Sequence, residues 1–199
     1  MANCCYFILK AKGFKSEEDQ NAFMAVFSNN FGATEHGCDT SKPYMAIYAG
    51  AGTYAENGIV TAEGDCKWSV KTSMLSCGYY ARERSSDDKL TCLEKLSKQY
   101  GIIIEVYSEE VGIGFQEHFV IKNGEMETEE CVDYGEFFIG DSYEEFDKEC
   151  RSQFAEIKDD EECQSIANWS KERWTEYFQS EGDYYRYGGF GDWIFSEVA

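Results

Sequence analysis

Residues 102–125, IIIEVYSEEVGIGFQEHFVIKNGE, decide the fold class of this chain. The stretch opens with three consecutive isoleucines, which is typical of a central strand that is apolar on both faces. After a turn at Gly112, apolar and polar residues alternate over residues 115–122, as in a second strand. Asn123-Gly124 is the strongest short hairpin signal in the chain, so residues 125–133 are predicted to return as an acidic edge strand.

The segments around this stretch predict the rest of an α+β domain. Residues 4–12 form a β-type run that ends at Gly13, and Ser16 is placed to cap a helix with an acidic first turn. Further strands are predicted at residues 44–48, 59–63 and 67–74, with loops at the glycines between the first two. A helix is predicted within residues 85–100. The order β-α-β-β-α-β, followed by a hairpin, predicts the ferredoxin-like (split β-α-β) fold, an antiparallel sheet with two helices on one face.

The chain changes character after about residue 134. From Gly135 onward it contains 17 Asp and Glu against 6 Lys and Arg, a net charge of −11. Helical spacing predicts helices within residues 142–157 and 159–178, followed by an aromatic, Gly-rich tail. We therefore predict a ferredoxin-like α+β domain at residues 1–134, and an acidic, aromatic-rich, mainly helical extension at residues 135–199 that packs on it.

The acidity of the chain excludes several classes of function. Its 199 residues carry a formal net charge of −20, so direct nucleic-acid binding is not expected, because phosphate contacts need an excess of cations. An anionic membrane surface would repel the chain, and no apolar run approaches the roughly 20 residues that span a bilayer. Two interpretations of the acidity stay open: solubility, or a surface that imitates DNA or meets a basic partner.

The nine cysteines are scattered and include no C-x-x-C pair. Neither a zinc site nor a thioredoxin-like motif is therefore indicated. No secretory signal pattern precedes the first strand, so we expect reduced thiols and a cytoplasmic location. The Gly-rich stretches lack the Lys-Ser/Thr of a phosphate-binding loop, and no cofactor is predicted.

Two groups of residues are candidates for binding. Converging carboxylates on the paired strands could hold a divalent cation or act as acid and base, and this group comprises Glu105, Glu109, Glu110 and Glu117, with His118 beside them. The alternative is a solvated sheet face with a tight turn. In the tail, Tyr187 and Trp193 could form a protein-binding surface, or the tail aromatics could fold back on the open face of the sheet. No nucleophile motif marks any cysteine, so no catalytic or metal-binding residue is assigned.

Part of the chain resembles a known family. The resemblance covers residues 1–133 and is carried by MANCCY at the start, the strand with Trp68, the helix with Leu93-x-x-Leu96-Ser97, and IEVYSEE-x-G-x-GF-x-E from Ile104 to Glu117. These residues are similar to the YubB-type ferredoxin-like domain proteins of phages, plasmids and integrated elements. The resemblance implies the fold and a mobile-element origin, but no activity and no catalytic residues.

The sequence therefore predicts a non-enzymatic interaction protein of a mobile genetic element. Its expected partner is a protein with a basic surface, and one form of this function is an acidic DNA mimic that inhibits a host nucleic-acid-binding protein. The alternative is a small enzyme, or a metal- or ligand-binding domain, that uses the Glu cluster on the sheet.

Overall fold

The protein is described by a computed structural model that covers residues 4–28, 33–34, 37–38, 45, 47–79, 91–181 and 184–199. The strands are β1 (Cys4–Lys12), β2 (Ala33–Thr34), β3 (Gly37–Cys38), β4 (Ile47–Glu56), β5 (Ile59–Lys67), β6 (Ile103–Glu110), β7 (Phe115–Lys122), β8 (Glu125–Phe138) and β9 (Tyr184–Gly188). The helices are α1 (Glu17–Ser28), α2 (Val70–Met74), α3 (Leu93–Tyr100), α4 (Tyr143–Glu145), a π-helical turn (Phe146–Cys150), α5 (Arg151–Glu156), α6 (Glu161–Ile166) and α7 (Lys171–Glu181).

The expected α+β class with an antiparallel sheet is confirmed. Seven strands form one open sheet in the order β4-β5-β1-β6-β7-β8-β9, and β2 pairs separately with β3. The chain divides into two compact units, the first comprising Met1–Val132 with Phe190–Ala199 and the second Asp133–Gly189. Residues 135–199, predicted as one extension, thus contribute to both units.

The core of the first unit lies on one face of its sheet. Alternate residues of β1, including Phe7 and Leu9, are fully buried there together with Phe23 of α1 and Leu93 of α3. Full burial of side chains of this size stabilises the fold by about 1.5–3 kcal/mol each. Ser16 accepts a hydrogen bond at its Oγ from the Asp19 amide, as expected of a helix cap.

Both Asn-Gly pairs of the first unit form turns with positive φ. At Asn123 and Gly124, φ is 51° and 89°, and this turn joins β7 to β8 as the hairpin signal predicted. Asn57 and Gly58 join β4 to β5 in the same way, with φ of 51° and 80°. Gly101, at φ 65°, ends α3.

Two local predictions are wrong. The glycines after Tyr48 do not form a loop, because β4 continues to Glu56 with a register shift between Tyr48 and Gly52. A Cβ on Gly64 of β5 would lie 3.1 Å from the Cα of Ala51, so a glycine there permits the close approach of the two strands. The strand predicted at residues 67–74 is also absent, since β5 ends at Lys67 and Ser69 accepts a hydrogen bond from the Thr72 amide and caps α2.

The second unit has a core of its own, built largely from aromatic side chains. The end of β8 pairs with β9, a strand that the sequence did not predict. The helix predicted at residues 159–178 is divided into α6 and α7. The indole Nε1 of Trp174 donates a hydrogen bond to the Ile139 carbonyl at 3.1 Å. Arg151 donates from Nη1 to the carbonyl of Ala167 at 2.6 Å, and from Nη2 to that of Trp169 at 3.1 Å, which ties α5 to the segment before α7.

Within the ranges that the structure describes, no helix has the length and apolar character needed to cross a membrane. None of the eight cysteines whose side chains are described forms a disulfide. The predicted helix at residues 85–100 is described only from residue 91, where α3 begins at Leu93.

Candidate functional site

The residues that point away from α1 and α3 form what we call the outer face of the first unit. Its composition follows from the register of β1, β6 and β7, since side chains alternate between the two faces of a sheet. Directly opposed residues form four rows across these strands, Tyr6–Glu109–Gln116, Ile8–Tyr107–His118, Lys10–Glu105–Val120 and Lys12–Ile103–Lys122. The outer face therefore combines aromatic rings, carboxylates and three lysines.

Glu105 is the buried carboxylate of the outer face, with no exposed surface. Its Oε1 lies 3.1 Å from Nε2 of His118, and its Oε2 accepts a hydrogen bond from the Glu197 amide at 2.9 Å. Both oxygens thus have a partner within the protein. A buried carboxylate is costly unless its oxygens have partners of this kind, so these two contacts offset part of the cost of burying Glu105.

His118 lies between two carboxylates. Its Nδ1 is 3.0 Å from Oε2 of Glu130, whose side chain is 56% exposed, whereas the His118 side chain itself is 12% exposed. The imidazole stacks on the Tyr107 ring at 4.1 Å with an angle of 9° between the planes. Both ring nitrogens of His118 thus lie within hydrogen-bond distance of a carboxylate oxygen, one on the buried Glu105 and one on the exposed Glu130.

The residues after the second unit cover the outer face with aromatic side chains. Trp193 stacks on Tyr107 at 5.7 Å and on Tyr6 at 6.1 Å, and Phe195 meets the Tyr107 ring edge-on at 5.0 Å. The Tyr107 hydroxyl donates to the Ile194 carbonyl at 3.0 Å. Burial raises the pKa of this hydroxyl, and the carboxylates of Glu105 and Glu130 raise it further. Trp193 is therefore placed against the sheet rather than away from it.

The other predicted carboxylates do not join this cluster. Glu110 and Glu117 lie on the opposite face, because they are out of step with Glu105 in the alternation of the strands. The fourth, Glu109, is on the outer face but belongs to the row at one end of it, where its Oε2 accepts a hydrogen bond from Nε2 of Gln116 at 2.7 Å. The structure thus brings together Glu105 and His118, and it does not bring together the four carboxylates.

Glu117 has a structural role in the first unit. Its Oε2 accepts hydrogen bonds from the Ser108 hydroxyl and the Val70 amide, both at 2.8 Å, which fastens the start of α2 to the sheet. Burial raises the pKa of the Glu117 carboxyl, and these hydrogen bonds offset part of the effect. Glu110 has a comparable local role, since it accepts a hydrogen bond from the Ile113 amide and holds the turn between β6 and β7.

Tyr187, the remaining predicted binding residue, belongs to the second unit. Its ring stacks on Phe137 at 5.0 Å, with 9° between the planes. The ring lies over Gly135, where a Cβ would be 2.2 Å from Cε1 of Tyr187. Tyr187 is half-buried and contributes to the packing of β8 and β9.

Sequence reasoning missed Glu130 and Glu197 as partners of the cluster. Glu130 is contributed by β8, which follows β7 in the chain, so a full account of that hairpin could have suggested it. Glu197 is 92 residues from Glu105 in the sequence, and no local pattern connects the two. Contacts of this kind depend on the tertiary packing alone.

The described residues contain no group of three or more His, Cys, Asp or Glu side chains that could hold a metal ion. A shallow pocket of about 150 Å³ lies beside Lys10 and Tyr54, which is smaller than the pockets of about 300–1,000 Å³ that hold small molecules. Comparison with models of protein families, with curated proteins and with solved structures finds no match to this chain.

Proposed function

We propose that this protein is a non-enzymatic interaction protein whose acidic surface binds a basic partner, with mimicry of DNA as the specific form. The proposal rests on the difference between the buried carboxylates and the exposed ones. The buried ones, Glu105, Glu110 and Glu117, accept hydrogen bonds from groups of the protein itself. The whole chain carries 38 Asp and Glu against 18 Lys and Arg, and most of the acids among the described residues are exposed.

Asp and Glu are more frequent in the second unit, Asp133–Gly189, than in the first unit. It contains 16 Asp and Glu against 6 Lys and Arg, a net charge of −10 within less than a third of the chain. Asp159 and Glu161 are exposed on either side of Asp160, whose Oδ1 accepts hydrogen bonds from the amides of Glu162 and Cys163. Such a surface attracts a basic protein through long-range electrostatics, which speed association and weaken as salt rises.

The fold supports a further part of the proposal. The partial order β4-β5-β1-β6, with α1 after β1 and α3 before β6, supports a ferredoxin-like domain in the first unit. The second unit then serves as its acidic extension. A mobile-element origin, membership of the YubB-type family and a cytoplasmic location belong to the same proposal.

The experiment is affinity capture with a DNA competitor. The intact protein is immobilised, cell lysate is passed over it at low salt, and retained proteins are eluted either with duplex DNA or with rising salt. We expect nucleic-acid-binding proteins that both treatments release. Retained proteins that duplex DNA does not displace would refute the DNA-mimic form, and the absence of any salt-sensitive partner would refute the proposal as a whole.

Two matched variants locate the surface. One converts the exposed Glu156, Asp159 and Glu161 of the second unit to amides, and the other converts the exposed Glu17, Glu18 and Glu56 of the first unit. Three lost ion pairs weaken partner binding by about tenfold. We expect this loss from the first variant only. An equal effect of the two variants would show that general acidity, and not the second unit, determines binding.

A further inference from the structure

The segment Phe190–Ala199, which we call the strap, crosses the outer face from one end to the other. Its Phe190 amide donates to Oε1 of Gln116 at 2.7 Å, and its Ile194 carbonyl accepts from the Tyr107 hydroxyl at 3.0 Å. Further along, the Glu197 amide donates to Glu105 and the Ala199 carbonyl accepts from Nζ of Lys12 at 3.2 Å. All four bonds use the main chain of the strap, so another peptide of suitable conformation could form them.

The side chains of the strap supply the selective contacts. Trp193 and Phe195 both face the sheet, whereas Ile194 between them is 69% exposed. Phe195 also lies under Nζ of Lys10, 4.5 Å from the centre of its ring, which is a favourable cation–π distance. Val198 is fully buried beside Tyr107 and Phe195. The outer face thus accommodates two aromatic side chains of the strap spaced two apart, followed by a buried valine.

The charges of the outer face suit an acidic peptide. Lys10, Lys12 and Lys122 occupy two adjacent rows of the outer face, in a chain whose net charge is −20. Nζ of Lys122 lies 3.0 Å from Oε2 of Glu197 on the strap and 2.6 Å from Oε2 of Glu127 on β8, so the strap shares this lysine with a carboxylate of the sheet. Both oxygens of Glu105, the carboxylate on these rows, have partners in His118 and the strap amide. The three lysines therefore offer cations to an acidic ligand, unlike the acid-rich surface of the second unit.

We propose that the outer face is a binding groove for a peptide of the pattern Trp-x-Phe-x-acid, and that the strap occupies this groove as an internal competitor. The strap is preceded by Gly189 and contains Gly191, at φ of 76° and 64°, where glycine allows the chain to change direction at little cost. A partner that carries such a peptide binds by displacing the strap. This binding mode is independent of the acidic-surface function, because it needs a ligand of opposite charge.

A peptide-binding experiment tests the groove in the full-length chain. Because a tethered segment competes at an effective concentration in the millimolar range, the strap is first weakened by Trp193→Ala with Phe195→Ala. A fluorescent peptide with the sequence of Phe190–Ala199 is then titrated and followed by anisotropy. We expect the variant to bind at least ten times more tightly than the unmodified chain. A folded variant that does not bind the peptide would overturn the proposal.

Two controls identify the mode of binding. A peptide with Lys in place of Glu197 should bind the variant about fivefold more weakly, since it loses the ion pair with Lys122. A peptide of the same composition in scrambled order should not bind. Equal binding of the scrambled peptide would mean non-specific adhesion to exposed apolar surface, and would also overturn the proposal.

Hydrogen exchange on the unmodified chain gives a test that does not depend on the variant. A displaceable strap opens without unfolding of the sheet, so the Phe190 and Glu197 amides should exchange at least tenfold faster than the amides of β6. If the strap amides and the β6 amides exchange at one common rate, the strap opens only when the whole unit unfolds. That result would show that the strap is a fixed part of the core and would overturn the proposal.

Discussion

The pairing of His118 with Glu105 predicts a large loss of stability for His118→Ala. In the protein, the buried carboxylate of Glu105 has two partners, Nε2 of His118 at 3.1 Å and the Glu197 amide at 2.9 Å. Replacing the imidazole by a methyl group leaves Oε1 of Glu105 without its partner in a site from which water is excluded. The variant therefore retains a buried charge that is only half satisfied.

The magnitude follows from the two contacts that His118 loses. A hydrogen bond to a charged group contributes about 1.5–3 kcal/mol. The stack on Tyr107, at 4.1 Å between ring centres, contributes about 0.5–1.5 kcal/mol more. The free energy of unfolding of the first unit should thus fall by about 2–4 kcal/mol. Native-state hydrogen exchange of the β6 and β7 amides measures this loss as an acceleration of at least about 25-fold.

Glu130→Ala is the matched control, because it removes the carboxylate at the other nitrogen of the same ring. The Glu130 side chain is 56% exposed and the Glu105 side chain is fully buried, so the control should cost less than about 1 kcal/mol. A loss below 1 kcal/mol for His118→Ala, or equal losses for the two variants, would refute the reasoning that burial determines the strength of these pairs.

Three further predictions concern other parts of the molecule. Burial raises the pKa of Glu117 above its usual value of 4.5, so the native state favours the protonated carboxyl. The stability that this protonated form contributes is present at low pH and is lost as the pH rises through the raised pKa. The free energy of unfolding should therefore fall less with rising pH in Glu117→Gln than in the unmodified protein, as urea unfolding at several pH values can measure. The same pH dependence in both proteins would contradict this prediction. Gly135→Ala places a Cβ 2.2 Å from Tyr187 and should destabilise the second unit by about 1–3 kcal/mol, whereas Gly52→Ala, whose nearest contact is 3.7 Å, should lower the melting temperature much less. Cys66 is buried, and burial raises the pKa of its thiol. In the folded protein a maleimide should therefore label the exposed Cys4, Cys77 and Cys131 but not Cys66. Mass spectrometry should detect labelling of Cys66 only after unfolding.

The antiparallel α+β class could be predicted from the sequence because its signals are local. Alternation over Phe115–Lys122 and the Asn123-Gly124 turn identified β7 and its hairpin with β8 at the bounds that the structure shows for β7. The strand bounds of Cys4–Lys12 were also predicted correctly. In each case neighbouring residues carry the whole signal.

Local reasoning failed where a tertiary contact overrides a local preference. Glycines after Tyr48 indicated a loop, but the chain there continues as β4, which approaches β5 closely where Ala51 meets Gly64. Alternation over residues 67–74 indicated a strand, but the Ser69 cap and the contact of Val70 with Glu117 favour a helix. The partner of Val70 lies 47 residues away, so the sequence around α2 contains no sign of it.

In the candidate site, too, some features follow from local alternation and others depend on tertiary contacts. Because a strand alternates with a period of two, the sequence alone was enough to predict that Glu105 and Tyr107 share one face of a strand and that His118 points to the face opposite to Phe119. The tertiary structure was needed to show the register of β7 against β6, which places Glu117 on the face opposite to Glu105, and to show that the strap covers the outer face. The physical reason is that the strap is held by contacts such as that of Glu197 with Glu105, across 92 residues, whose energy depends on burial and pairing in the folded chain.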